Sequence, residues 1–487
     1  MNFETFMRHL AHRSIASALA LVCIAAHAAS AQRPAISAAA RPFVVEDANV
    51  IALVDVRVID GTGASAREHQ TVLLRDGMIA AVGDRASVAV PAGARVLDLA
   101  GRTVMPGLVM MHEHLFYPSG GGSVYNEQAF TFPRLYLAGG VTTMRTAGNM
   151  AGYADMNLAR AIEAGTAVGP SIDATAPYLE GPGLPIYQVK ALKDAADARR
   201  MVAQWASDGA TSFKAYMHIT RDELRAAAEE AHRHGLKITG HLCSVTFREA
   251  AAAGIDNLEH GFVVASDFVK DKKLDQCPAG SAVQSSLLAT DPDGPEMRSL
   301  IAELVRRKVA ITSTLTVFET FAPKQPRAPE KALEMMLPEV RRQYTTTRDR
   351  IEASKDTTWT ALLAREMQLE RAFVRAGGTL LVGTDPTGFG GVVAGFSNQR
   401  ALELLVDAGF TPIEAIGIAT MNGARYLGRD ARIGSVTAGK QADLVVVRGD
   451  PSTRIADVEQ VEIVFKQGVG YDPAKLIAPL KGHVGLH

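Results

Sequence analysis

Two histidines, His112 and His114, close the apolar run Leu108-Val109-Met110-Met111. Residues at i and i+2 of a strand share a face. Both imidazoles therefore leave the strand end in one direction, as ligands of a shared metal must. Alone, this pair reads more readily as two solvated histidines, so the other histidines decide. Of the 13 in the chain, His9, His12 and His27 fall in an N-terminal leader, and His483 and His487 lie on the tail. His69 belongs to a β-rich segment. His232 and His234 close a helix beside Gly235, where cations complement the helix dipole. His112, His114, His218, His241 and His260 remain, each at or just past the end of a predicted strand. Asp385 ends the last such strand ahead of Pro386 and is a candidate ligand or base. Lys214 lies inside the run Thr211-Ser212-Phe213-Lys214-Ala215-Tyr216, where a buried charge is costly unless paired or neutralised.

Neighbouring positions supply candidates for substrate contact. Tyr216 shares the face of Lys214 one step nearer the strand end, as an oxyanion or carboxylate donor or as a packing residue. His218 continues that face if the strand persists. Tyr178, on the loop after the third strand, lines the mouth or shapes a turn. Arg145 ends the second strand and pairs with acidic neighbours or with a substrate carboxylate. Glu113 points away from the two flanking histidines and is given no catalytic role.

The elements that must position these residues alternate. Strand-like runs at 108–112, 140–145, 170–175, 211–216, 236–241, 256–260, 309–314 and 379–385 are separated by helical stretches such as 221–234 and 363–376. Ala-Gly pairs at 138–139, 164–165, 253–254 and 376–377 read as helix ends. Eight such units predict an α/β chain built on a TIM (β/α)8 barrel, whose sites lie at the C-terminal strand ends. No Gly-x-Gly-x-x-Gly fingerprint points to a dinucleotide fold. The barrel is assigned to 105–427. Short strands and turns at 32–104 and again at 428–487 predict a small β-sandwich built from both chain ends. Long polar connections at 263–304 and 323–347 are expected to shape the site mouth.

Composition narrows the class. With 47% hydrophobic residues, 21% charged residues and a net charge of -1 over 487 residues, the chain is globular. That balance gives no basis for nucleic-acid binding. Arg8 and Arg13, the apolar run 15–26 and Ala29-Ser30-Ala31 form a secretory signal over residues 1–31. The run is too short for a membrane anchor, so the expected location is secreted or periplasmic. Beyond Cys23, which falls in the leader, Cys243 and Cys277 can form at most one bridge. Apolar strand edges in the sandwich are compatible with a homo-oligomer.

The pattern His112-x-His114, Lys214, His241, His260 and Asp385, in that order and on those strands, resembles the amidohydrolase superfamily. The likeness extends from Val104-Met105-Pro106-Gly107 to Gly439-Lys440-Gln441-Ala442-Asp443-Leu444. The run around Lys214 is similar to the segment carrying a carboxylated lysine in hydantoinase-like members. Leu258-Glu259-His260-Gly261 and its short spacing from His241 resemble the prolidase-like and imidazolonepropionase-like branch. The resemblance implies two divalent metals, with His112, His114 and Asp385 on one and His241 and His260 on the other. It also implies a carboxylated Lys214 bridging both. The nitrogen and oxygen donors suit zinc, with manganese, cobalt or iron as alternatives. The implied activity is hydrolysis of a linear amide, a dipeptide or N-acyl amino acid, by a metal-bridged hydroxide with Asp385 as proton shuttle. A cyclic amide, lactone or ester-like substrate is the alternative enzyme, and a non-catalytic metal-binding barrel is the alternative class.

Overall fold

The computed structural model describes residues 35–118, 125–184, 186–387 and 390–485. The signal-peptide reading of residues 1–31 lies outside them. Eight parallel strands carry the centre of the chain. Leu108–Glu113, Val141–Thr146 and Ser171–Asp173 form one sheet, and Ser212–Ala215, Lys237–Gly240, Asn257–Glu259, Ala310–Ser313 and Leu380–Val382 form another. Parallel bridges from Thr175 to Ser212 and from Leu179 to Ala215 join them on one side. On the other, the backbone N–H groups of Thr384 and Asp385 donate to the carbonyl of His112, both at 3.1 Å. The result is a TIM-barrel-like α/β fold in two parallel sheets, where one continuous barrel ladder was expected. The third and eighth strands are only three residues long, which leaves little backbone to pair across the seams.

Strand ends fall earlier than the hydrophobic runs suggest. Ala215 ends one strand, Gly240 the next and Glu259 the one after, so Tyr216, His241 and His260 each follow their strand immediately. The helix ends behave as glycine requires. Gly165, Gly254 and Gly377 take positive φ of 70°, 95° and 89°, while at the first pair the left-handed residue is Gly140 at 94° rather than Gly139.

The two connections expected to be loops contain helices. Pro295–Arg306 buries Met297, Leu300, Ile301 and Leu304, an i, i+3, i+4, i+7 stripe that its polar neighbours obscure in a plain reading of composition. Pro338–Glu352 likewise buries Val340, Tyr344 and Arg348.

Both chain ends meet in a single nine-stranded mixed sheet, where two facing sheets were expected. Leu444–Arg448 lies antiparallel to Arg102–Pro106, with Leu444 opposite Pro106 and Arg448 opposite Arg102. In strand Val50–Val58 the buried set runs Ile51, Leu53, then Val56, Val58. Asp55, at φ 57°, is the extra residue that flips the alternation back to the same apolar cluster. Cys243 and Cys277 are disulfide-bonded, with Cα atoms 4.8 Å apart.

Helix Thr358–Arg375 places two fully buried carboxyls, Glu366 and Glu370, one turn apart. Glu366 accepts hydrogen bonds from the N–H of Phe262 at 3.0 and 2.8 Å, and a side chain at Gly261 would collide with its carboxylate. Burial pushes both carboxyls above the ordinary value, Glu370 to about 8, and their mutual repulsion adds to the rise at Glu366. A carboxyl that holds its proton more tightly when folded stabilises the fold fully below its unfolded pKa. That stability is lost as pH rises through the folded value. Thermal denaturation should therefore show Tm falling between about pH 5 and about pH 9. Glu370→Gln, which keeps the shape and removes the titration, should reduce that fall by on the order of 2–4 °C. An unchanged slope would contradict this account.

Candidate metal centre

His112, His114 and Asp385 bring one donor atom each to within 4.8 Å of one another, all buried. The period-2 alternation of Leu108–Glu113 and the adjoining residue His114 aim both imidazoles at Asp385. His114 Nε2 lies 3.2 Å and His112 Nε2 3.6 Å from Asp385 Oδ1. His260 Nδ1 is 3.7 Å from the other carboxylate oxygen and 2.9 Å from Thr314 Oγ1. The His241 ring sits 4.3 Å from that of His260, which in turn lies 4.5 Å from His112. His260 and Asp385 hold positive φ, 67° and 52°, a conformation that persists only where surroundings enforce it. Glu366 braces the turn after His260. Before Asp385, Glu113 accepts from the Thr384 N–H at 3.1 Å, from the Thr384 hydroxyl, and from Asn398 Nδ2 at 2.9 Å. Glu113 thus points away from its neighbouring histidines, as alternation predicts.

Burial sets the charge states. It pushes His114 down to about 4 and His241 to about 3. His260 is held well below its ordinary value by burial and the adjacent His241. These three rings are neutral at pH 7, the form that ligates metals. Burial and Lys214 press on His112 too, but its contact with Glu259 holds it above the ordinary value. At Asp385 burial acts upward, yet hydrogen bonds from His112 and His114 hold the carboxyl well below its usual range. Burial pushes Lys214 down to about 8 against the pull of Glu259 and Asp385, so a neutral amine is accessible near neutral pH.

A cavity of about 180 Å³ contains His112, His114, Lys214, His241, His260 and Asp385 in its wall. Tyr216 and Tyr178 line it too, with ring centres 4.6 Å apart. His218 does not. Its strand ends at Ala215, and its backbone N–H and Nδ1 face Glu180, at 2.7 and 3.5 Å. A role for His218 in substrate contact therefore finds no support in its position.

The residue that the spacing did not assign is Glu259. Its Oε2 shares a hydrogen bond with His112 Nδ1 at 2.7 Å, and Oε1 accepts from Arg145 Nη2 at 2.7 Å and lies 3.8 Å from Lys214 Nζ. Thr239 Oγ1 also donates to it. Arg145 further donates to the Met111 carbonyl and to Asn257 Oδ1, which settles its pairing as internal. The available signal was electrostatic. Cations inside two barrel strands, Arg145 on the second and Lys214 on the fourth, need an acid, and Glu259, two residues beyond Asn257 on the sixth, faces them. Replacing Glu259 with Gln keeps the shape but leaves Arg145 buried without its anion and loosens the ring of His112. Metal affinity should fall about 10–100-fold, the range for partners that orient ligands, measured by metal analysis after graded chelator dialysis. Unaltered affinity would remove Glu259 from this role.

The donor chemistry fits divalent cations. Three neutral imidazoles, a carboxylate held ionised and an amine close to neutrality surround one space, while the excess cation Arg145 is neutralised beneath it.

Comparison with known proteins agrees with this geometry. The pattern of the amidohydrolase family matches residues 103–275 and 296–470. A dihydroorotase of Anaeromyxobacter dehalogenans is 39% identical over 117 residues, 23% of this chain and 26% of that protein. The chain thus spans about a quarter of that relative. An imidazolonepropionase of Streptomyces griseus subsp. griseus is 25% identical over 420 residues, covering 81% of this chain and 92% of the other. The crystal structure of a putative prolidase from Bifidobacterium longum superposes with a TM-score of 0.63 at 26% identity, covering 88% of this chain and 95% of that one.

Proposed function

Because this chain belongs to the amidohydrolase family, hydrolases of carbon–nitrogen bonds, we propose that it is a secreted metal-dependent hydrolase of a linear amide bond. The carrying observation is the convergence of the His112, His114 and Asp385 donor atoms within 4.8 Å in a cavity shared with Lys214, His241 and His260. His112, His114 and Asp385 would hold one ion, and His241 and His260 a second. Lys214 would ligate both as a carbamate: its neutral Nζ adds to the carbon of carbon dioxide and gives up one proton. The bound ions, zinc in the simplest case, supply Lewis acidity and lower the pKa of water.

The chain's own residues do the rest. Asp385 accepts a proton at its carboxylate and delivers it to the leaving nitrogen. Thr387 Oγ1 donates to Asp385 Oδ1 at 2.8 Å, which fixes one oxygen and leaves the other for transfer. Tyr216 lines the cavity and would donate its hydroxyl to the developing oxyanion. Glu259 orients His112. Aromatic walls exclude water from the reacting groups.

Export rests on the leader at residues 1–31 and is supported by the Cys243–Cys277 bridge, a bond that persists in oxidising compartments. Among the described residues no helix is long and apolar enough to cross a membrane. We read the architecture as a (β/α)8 barrel over 105–427 with a β unit from 32–104 and 428–487. Likeness to a putative prolidase favours the linear amide, a dipeptide or N-acyl amino acid. Likeness to an imidazolonepropionase and a dihydroorotase keeps the cyclic amide, lactone or ester-like bond as a second reading. Metal analysis together with kinetics on dipeptides, N-acyl amino acids, hydantoins and lactones tests both. Turnover of a linear amide with about two metals per chain is expected. Turnover of rings alone would favour the second reading. Less than one metal and no turnover would leave a binding barrel.

A further inference from the structure

Two segments meet just past the third and fourth strands, and each carries one tyrosine of the cavity wall, Tyr178 and Tyr216. The N–H of Leu179 donates to the Lys214 carbonyl, and the N–H of Tyr216 donates to the Leu179 carbonyl, both at 2.9 Å. This pairing sets the two tyrosine rings 4.6 Å apart. The Tyr216 ring in turn stands edge-on to that of His241 at 5.1 Å. The Tyr178 ring also packs on Gly148, where a Cβ would come within 2.6 Å of it.

Beyond the tyrosines the ladder has ended, and one side chain ties the two segments together. Glu180 is buried, and its Oε1 accepts from the N–H groups of Gly181 and His218, both at 2.7 Å. The first lies on its own segment, and the second lies two residues past Tyr216. The segments run so close here that a Cβ on Gly181 would come within 2.1 Å of the His218 carbonyl oxygen. The Glu180 backbone is held as well, since its carbonyl accepts from the N–H of Leu192 at 2.7 Å. Among the described residues no lysine or arginine pairs with this carboxyl, whose ion-pair contact is His218 Nδ1 at 3.5 Å. Burial pushes it up to about 7 against the pull of the N–H groups that it collects. A buried acid without a cation is costly, and this one does not line the cavity. It reaches the reaction only through the residues that it holds.

We propose that Glu180 is a positioning residue for the reaction: its carboxyl clamps the segment after the third strand to the segment after the fourth, and so holds Tyr216 against Tyr178 in the cavity wall. This rests on the amide-hydrolase reading above, with Tyr216 as the oxyanion donor. A donor of that kind is effective only when its place is fixed before the charge develops. The stacked Tyr178 ring and the clamped chain beyond Tyr216 are two independent restraints on it.

The test is a double-mutant cycle on the metal-loaded protein with a linear amide that the unaltered protein hydrolyses. Tyr216→Phe should lower kcat by about 10²–10³-fold, the loss for one oxyanion donor. Glu180→Ala should lower kcat by at least about tenfold with a smaller change in KM and no change in metal content. Combined, the two should be no slower than Tyr216→Phe alone to within about threefold, because a displaced donor and an absent one cost the same thing only once. Glu180→Gln, whose amide oxygen still accepts both N–H groups, should recover most of kcat. Glu180→Asp, which draws the carboxylate back by one methylene, repeats the cycle if the alanine variant does not fold. Losses that multiply in the double variant, or full kcat in Glu180→Ala, would overturn the clamp while leaving amide hydrolysis and the role of Tyr216 intact. Full kcat in Tyr216→Phe would remove Tyr216 as the donor, and the clamp's role in the reaction with it. No turnover of any linear amide by the unaltered protein would overturn the amide reading itself, and the proposal with it.

Discussion

Lys214→Ala should leave a folded protein that has lost most of its activity, has a lowered metal content, and recovers in part when a short carboxylic acid such as propionate is supplied. Folding should survive because Glu259, the acid nearest Lys214, keeps its 2.7 Å contacts with Arg145 and His112. The variant therefore strands no buried anion, the usual reason for collapse when a buried pair is cut. It also removes a desolvated amine whose burial is already costly, visible in the depression of its pKa to about 8. What it takes from the site is the anion that the amine would become on carboxylation. The loss should exceed the roughly 100-fold that follows removal of a ligand's hydrogen-bond partner, since here the donor itself goes. Truncation opens room for a carboxylic acid where the carbamate would stand, and this is why added acid should restore function while alanine alone does not. A purely structural lysine predicts the opposite pattern: altered stability, unaltered metal content and no response to added acid. Full activity without rescue would end the case for Lys214 as a ligand.

The extent to which the sequence disclosed this site follows from which forces act locally. His112, His114, His241, His260 and Asp385 are legible because each stands at the end of an apolar run, and strand alternation alone puts the pair at 112 and 114 on one face. Lys214 is legible because a cation inside a strand needs an explanation. Glu259 is not, because its partners Arg145, Lys214 and His112 come from three other strands and meet only in the tertiary fold. His218 was placed on the condition that the strand persists, but it ends at Ala215, three residues earlier. The chain leaves the ladder at Ala215 and turns, with Glu180 collecting the freed N–H groups of Gly181 and His218. That the strands of both chain ends join one nine-stranded sheet was not legible, because the pairing of Leu444–Arg448 with Arg102–Pro106 is set by tertiary contact and not by local pattern. The helices within 263–304 and 323–347 bury narrow apolar stripes inside polar text, so their periodicity is weak beside their charge. The Cys243–Cys277 pairing depended on a fold-back of 34 residues that spacing cannot supply.

Asp385→Asn should give the largest kinetic loss for the smallest change in shape. The amide keeps one oxygen to accept from Thr387 but cannot take up a proton, so general acid–base assistance, commonly about 10²–10⁴-fold, is removed. It is also a weaker ligand. These two losses separate by experiment. His112 and His114 remain, and Glu259 continues to orient the first of them, so at saturating metal the variant should regain an ion while kcat stays low. The leaving group then distinguishes proton delivery from metal binding. An amide must receive a proton on nitrogen as the bond breaks, whereas 4-nitrophenolate departs without one. With metal restored, Asp385→Asn should lose far more kcat on an anilide than on the matching 4-nitrophenyl ester, by at least about tenfold within the range that proton transfer contributes. Equal losses on both substrates, or recovery of amide hydrolysis with added metal, would reduce Asp385 to a ligand. The proposed dual role rests on the different surroundings of the two oxygens. Oδ1 is held by Thr387 and faces His112 and His114, while Oδ2 faces His260 across 3.7 Å. Asp385, at a positive φ of 52°, follows Thr384, which is held by hydrogen bonds to Glu113, and its own Oδ1 is held by Thr387, contacts that fix the carboxylate before any substrate arrives. That fixed placement is the condition under which a single group can serve the metal with one oxygen and the proton with the other.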